Sequence, residues 1–231
     1  MERLLVAENL TRSFDGVRAV DDVSLSLDAG AMRAIIGPNG CGKTTLFNLI
    51  TGYLAPDAGR ILFKGRDIAG LALHEIARAG IVRKFQVPSV FGGLTVAQNL
   101  DVAGSRDTAG GLAHVGLADR AWDLAGTLSH GETQWLELAM VIANDPALVL
   151  LDEPAAGMTK AERMRTVELL KELHIRRDLA ILLIEHDMSF IDALDCPVSV
   201  MAMGRIIAEG EYETLKDDPR VREAYLGWAD A

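Results

Sequence analysis

The chain has 231 residues, 49% of them apolar, and a formal net charge of −10. That length fits one α/β domain, or one domain with a small appendage, and supplies enough apolar residues for a full core. The acidic balance argues against broad contact with nucleic acid or an anionic lipid surface, no apolar run nears the ~18–20 residues that span a bilayer, and the first residues form no apolar signal region. Two cysteines, Cys41 and Cys196, make no disulfide framework, which points to a reducing cytoplasm.

Taken in chain order, Arg3 to Leu10 and Val20 to Leu27 predict strands. In the second, Val23, Leu25 and Leu27 alternate with Asp22, Ser24 and Ser26. Ala31 to Ile36 predicts a short strand, and Thr45 to Ile50 a helix beyond a glycine-rich turn. Ala58 to Phe63 reads as strand, Leu71 to Ala79 as helix and Ile81 to Phe85 as strand. From about Pro88 to Gly126 the character changes. Seven glycines fall between Gly92 and Gly126, and periodicity is poor around Gly104 to Gly111. This stretch reads as an inserted, mostly helical subdomain with a loose loop. From Glu132 the pattern is helical, with Trp135, Leu138, Ala139 and Ile142 on one face. A buried strand (Ala147 to Leu151), a helix (Lys160 to Ile175), a strand (Ala180 to Glu185) and a short helix (Met188 to Leu194) follow. Val198 to Met203 and Arg205 to Glu209 predict a hairpin about Gly204, and two short helices end the chain.

The turn between the third strand and the first helix is Gly37-Pro38-Asn39-Gly40-Cys41-Gly42-Lys43-Thr44, which fits the phosphate-loop pattern G-x-x-x-x-G-K-[ST]. Glycines let successive N–H groups converge on phosphate oxygens, and the helix that follows, beginning near Thr45, adds its positive end. Lys43 has the reach to meet β- and γ-phosphates, and the Thr44 hydroxyl can ligate Mg²⁺. Cys41 in this loop invites a second reading, a thiol whose pKa is depressed by the helix end and whose oxidation blocks the nucleotide, against the plainer one of a small residue that fits. Leu148 to Leu151 is an apolar run suited to a strand buried on both faces, and it ends in Asp152-Glu153. Two carboxylates at the carboxyl edge of a parallel sheet stand where ligands bind. Asp152 suits Mg²⁺, and Glu153 suits a base that polarises water for attack on the γ-phosphate.

Leu128-Ser129-His130-Gly131-Glu132 resembles the LSGGQ signature of ATP-binding cassette proteins. Ser129 and Glu132 also have the spacing of a helix capping box, and both readings hold together. The resemblance extends over the whole chain. It implies the P-loop NTPase fold of that family: an α/β domain with a mostly parallel core sheet, an antiparallel β subdomain and an inserted helical subdomain. It divides residues 1–231 into a core with β subdomain (1–87 and 127–231) and a shortened helical part (about 88–126). It implies that Phe14 stacks on adenine, against the alternative of a core phenylalanine. It implies that Gln86 touches Mg²⁺ or the attacking water, that His186 contacts the γ-phosphate, and that 152–159 crosses a dimer interface. Ser129 and Gly131 of one subunit then close on ATP held by the loop of the other.

Arg83-Lys84-Phe85-Gln86, Phe91-Gly92-Gly93-Leu94-Thr95-Val96, Ala155-Ala156-Gly157-Met158, Ile184-Glu185-His186-Asp187-Met188 and the ending from Asp218 to Gly227 look like importers of branched-chain amino acids, urea and short amides. The segment 128–137 is similar to the urea-importer ATPase. This implies an ATPase on the inner face of the cell membrane, with ATP and Mg²⁺ as its cofactors. Its implied partners are a second nucleotide-binding subunit, transmembrane permeases and, indirectly, a solute-binding protein, with no role for nucleic acid. A soluble ATP switch on the same dimer is the alternative, and a small kinase is disfavoured by the signature segment, Glu153 and His186. His130, Glu132 and Thr159 depart from the family pattern, Thr159 standing where an aspartate is usual. Gln86 to Leu128 spans only 42 positions, shorter than this importer group implies, as if a helix near 103–111 were missing.

Overall fold

Apolar and polar residues interleaved over residues 3–28 build a long antiparallel hairpin. The computed structural model describes residues 3–84, 90–177 and 179–226. Within it, β1 (Arg3–Phe14) pairs with β2 (Val17–Asp28) around Asp15 and Gly16, both at positive φ. The strands run beyond the predicted bounds because the polar stretch Thr11–Ser13 keeps its ladder partners near the hairpin tip. β3 (Met32–Ile36) leaves for a second sheet, while β4 (Ala58–Phe63) and the two-residue β5 (Arg66–Asp67) complete an antiparallel sheet of order β2-β1-β4-β5.

The second sheet has the order β10-β9-β3-β8-β7-β6. Its strands are β6 (Ile81–Lys84), β7 (Leu148–Asp152), β8 (Ala180–Ile184), β9 (Val198–Ala202) and β10 (Arg205–Gly210). All neighbours pair parallel except the edge strand β10. β7, β8 and β9 are buried at every residue, Asp152 and Ser199 included, as largely apolar strands covered on both faces are. Each such Leu, Ile or Val contributes roughly 1.5–3 kcal/mol by burial. On one face the sheet packs against α1 (Lys43–Ile50) and the antiparallel sheet, through Leu46, Phe47 and Ile50 against Ile35, Leu148 and Leu150. α2 (Leu73–Ala79) lies on the same side and contributes Ile76.

Between β6 and β7 lie α3 (Val96–Val102), α4 (Thr108–His114), two 3-10 turns at Ala118–Arg120 and Ala125–Thr127, and α5 (His130–Ile142). α3, α4 and the turns form their own small core, in which Val96, Leu100, Leu112 and Leu117 pack against Leu136 and Ala139 of α5. The loose loop expected through Gly111 is only partly present. Thr108–His114 is helical although Gly110 and Gly111 disfavour it, because Asp107 caps the Gly110 amide at 2.9 Å and Leu112 is fully buried.

The sheet's other face is covered by α5 through Leu138 and Ile142, by α6 (Lys160–Arg177), by α7 (Met188–Leu194) and, near the end of the chain, by α8 (Tyr212–Leu215) and α9 (Pro219–Leu226). Among the described residues no helix is long and apolar enough to cross a membrane.

Candidate nucleotide-binding site

The parallel order β3-β8-β7-β6 decides where the chemistry gathers. The carboxyl ends of these strands lead, respectively, into the glycine-rich loop, Glu185-His186, Asp152-Glu153 and the segment that contains Gln86. Gln86 itself lies outside the described residues.

The loop is held by close backbone approach. Gly42 has φ 109°, and a Cβ there would stand 2.0 Å from the Ala19 carbonyl oxygen of β2; a Cβ at Gly37 would stand 2.0 Å from the Met201 carbonyl oxygen of β9. Gly42→Ala is therefore expected to lower stability by about 2 kcal/mol or more and to remove nucleotide binding. Urea denaturation and fluorescent-ATP titration check both, and a variant that binds ATP normally would contradict this reading of the loop. Gly42 is also the N-cap of α1 and offers no side chain to its first turn, so the N–H groups of Lys43, Thr44 and Thr45 are left to an anion. Pro38, Cys41 and Lys43 are buried, whereas Asn39, Gly40 and Thr44 face solvent. Lys43 bends back over the loop and donates to the carbonyls of Gly37 (2.7 Å) and Pro38 (2.9 Å).

Cys41 does not carry a depressed pKa. Its thiol is 3% exposed, and burial pushes the pKa up, outweighing the nearby Lys43 ammonium at 3.8 Å. Of the two readings of this cysteine, burial favours the plainer one, a small residue that fits. Cys196, also buried, is pushed up to about 11. Folded protein at pH 7.5 is expected to resist iodoacetamide, with both thiols labelling only after denaturation; rapid alkylation of Cys41 in the native state would contradict this.

Asp152 ends β7 almost fully buried, and its Oδ2 accepts from Arg83 at 2.6 Å. Glu153 follows in the left-handed region at φ 48°, held by its N–H to the Ile184 carbonyl (2.9 Å). Its carboxylate is partly exposed, with Oε1 3.6 Å from Nδ1 of the exposed His186. A non-glycine residue in this conformation needs support from its surroundings, as functional residues often have. Glu185, 1% exposed, supplies it: its carboxylate accepts from the amides of Ala155 (3.0 Å), His186 (3.0 Å) and Asp187 (3.4 Å), tying the turn after β7 to the turn after β8. Burial raises the Glu185 pKa despite these donors. Asp187 caps α7 through the Ser189 and Phe190 amides and pairs with Arg163 of α6; the Ser189 hydroxyl bond leads in lowering its pKa.

Phe14 stands at the tip of β1, 40% exposed, with the Arg12 guanidinium 5.0 Å from the ring centroid, so it is not a core residue. Ser129 is the N-cap of α5: its hydroxyl accepts from the Glu132 amide, and the Glu132 carboxylate accepts from the Ser129 amide. Glu132 also pairs with Arg120 at 2.8 Å, which fastens the helical block to this turn. His130 Nε2 lies 2.9 Å from the Ala156 carbonyl. A Cβ at Gly131 would stand 2.3 Å from the Glu162 carboxylate, so a larger residue there would push that side chain aside. Glu162 in turn accepts from the Thr159 amide and hydroxyl, which hold its pKa down, and Thr159 caps α6. Thr159 therefore serves as a helix cap where the family pattern has aspartate. Sequence reasoning did not find Glu185, Arg83 or Lys84 as contributors, because a buried charge on a strand shows no periodic signal.

A parallel sheet that brings its glycine-rich loop and its acidic strand end to one edge is the architecture of P-loop nucleotide hydrolases, and that is the class of this molecule. The family model described as ABC transporter matches residues 20–156, and one described as branched-chain amino acid ATP-binding cassette transporter matches residues 205–227. The high-affinity branched-chain amino acid transport ATP-binding protein BraF of Pseudomonas aeruginosa is 36% identical over 251 aligned positions, covering 98% of each chain; LivG of Escherichia coli is 35% identical over the same coverage. The ADP conformation of MJ1267, an ATP-binding cassette of an ABC transporter, superposes with a TM-score of 0.90 at 30% identity, covering 98% of this chain and all of that one. The chain belongs to the ABC transporter family, as an ATP-binding, ATP-hydrolysing subunit.

Proposed function

We propose that two copies of this subunit, or one copy and a related subunit, close head to tail on two ATP molecules and drive uptake of branched-chain amino acids through membrane-spanning permeases. The observation that carries this is the meeting of loop, Asp152-Glu153 and His186 at one sheet edge, in a chain whose relatives BraF and LivG bear branched-chain transport names. Those names favour this solute over urea.

In this reading Gly37, Pro38, Asn39, Gly40, Cys41 and Gly42 wrap the phosphates, with the amides of Lys43, Thr44 and Thr45 behind them. Lys43 leaves the loop carbonyls to meet the β- and γ-phosphates, and Phe14, braced by Arg12, stacks on adenine. The Thr44 hydroxyl and Asp152 carboxylate are hard oxygen donors of the kind Mg²⁺ takes, and with Gln86 they would hold it. Bound there, Mg²⁺ would neutralise developing phosphate charge. Glu153 orients and deprotonates the attacking water, and His186, against the Glu153 carboxylate, contacts the γ-phosphate. Ser129 and Gly131 at the start of α5 receive the γ-phosphate of the partner's ATP, helped by the helix end.

The division into a core with β subdomain (1–87 and 127–231) and a helical part (about 88–126) then has a mechanical sense. The helical block leaves Phe91, Val102, Trp122 and Leu124 exposed, apolar side chains suited to contact with a permease. Arg120–Glu132 passes its movement to the signature turn. The subunit sits on the inner face of the membrane, and a solute-binding protein chooses the solute. Affinity purification of the tagged subunit from native membranes tests this: two permeases and an amino-acid-binding protein are expected. An active ATPase that recovers no membrane protein would overturn the transport reading in favour of the soluble switch.

A further inference from the structure

Arg83 lies inside the fold at the end of β6, its side chain 5% exposed, and no step above uses it. Its guanidinium joins three elements. One terminal nitrogen donates to Asp152 Oδ2 at 2.6 Å on β7, the other donates to Asn48 Oδ1 at 2.5 Å on α1, and the planar group lies 5.5 Å from the Phe47 ring centroid, also on α1. α1 is the helix that begins in the phosphate loop. A carboxylate as buried as Asp152 is tolerated only with a counter-charge and fixed hydrogen bonds. A planar fork fixes direction as well as charge, which a lysine ammonium does not. The ion pair takes Oδ2 and leaves Oδ1 outside it.

We infer that Arg83 is a positioning residue for the metal–nucleotide site: by bridging Asp152 and Asn48 it sets the Asp152 carboxylate relative to the phosphate-loop helix. The inference rests on the proposed role of Asp152 toward Mg²⁺. Groups that orient metal-binding carboxylates typically matter by about 10–100-fold in metal affinity.

The test titrates Mn²⁺ into the full chain with saturating ATP, followed by electron paramagnetic resonance of free Mn²⁺. Fluorescent-ATP binding in EDTA is measured alongside. Arg83→Met is expected to weaken Mn²⁺ binding about 10–100-fold while metal-free nucleotide affinity stays within about twofold. Arg83→Lys, which keeps the charge without the fork, is expected to lose about tenfold, and it decides the matter if Arg83→Met does not fold. In an Asp152→Asn background the Arg83 substitutions should add no further loss. If Asp152→Asn weakens Mn²⁺ binding and neither Arg83 variant does, the inference is overturned. If Asp152→Asn leaves Mn²⁺ binding unchanged, the assignment of Asp152 fails, and the inference with it.

Discussion

Glu153→Gln is expected to cut ATP turnover by about a hundredfold or more while nucleotide affinity is kept. The substitution preserves shape and changes only the ability to take a proton. The backbone that presents residue 153 is fixed independently of its side chain, by the N–H of Glu153 to Ile184 and by the Ala156 N–H to the Glu153 carbonyl (3.1 Å). Neither bond senses the exchange of an oxygen for an amide nitrogen, so φ at this position and the neighbouring Glu185 network should survive. What is lost is the base 3.6 Å from His186. Phosphate release and fluorescent-ATP titration, side by side, check this. Turnover above a tenth of the wild-type rate would show that another group activates the water.

The second large effect is on stability. Lys84, the last described residue of β6, is 4% exposed and points to the opposite face from Arg83. Its ammonium lies 3.1 Å from Glu137 Oε2 and bonds Gln134 Oε1, both on α5. Lys84→Met removes the cation of a buried ion pair with Glu137, a kind of change that costs about 3–5 kcal/mol. Against a typical total of about 5–15 kcal/mol, that is a large loss. Because α5 begins at Ser129, the loosened helix is the one that carries the signature turn. The double variant Lys84→Met/Glu137→Met removes both charges and should recover most of the loss. Urea denaturation midpoints for the two variants decide it; a loss below about 1 kcal/mol in the single variant would contradict the buried-pair account.

How far each element could be read in advance follows from its physics. Apolar runs such as Leu148 to Leu151 announce buried parallel strands, and Met188 to Leu194 was legible to the residue because Asp187 caps it. The loop was legible because its glycines answer to steric demands that allow no other residue, as at Gly42 against Ala19. The short helix Thr108–His114 was hidden because its stability comes from burial of Leu112 and a cap rather than from propensity. Two readings of the Cys41 thiol stayed open because the helix end and Lys43 are visible in sequence while the burial that outweighs them is not. Arg83 and Lys84 were read as strand and as part of a family segment, with no contact assigned: alternation says that they face opposite ways, but not that their partners lie 69 residues away at Asp152 and 50 residues away at Gln134.

The site residues gather in one chain, yet Ser129 and Gly131 sit at the start of α5, where in the proposed mechanism they serve the nucleotide of another subunit. The most direct measurement is therefore the mass in solution of Glu153→Gln, by light scattering, with and without ATP and Mg²⁺. The account predicts a monomer without nucleotide and twice that mass with it, holding two ATP per pair, and reversion to monomer when Ser129→Arg blocks the signature turn. A variant that stays monomeric at saturating ATP, while the wild-type monomer hydrolyses at full rate, would contradict the head-to-tail mechanism.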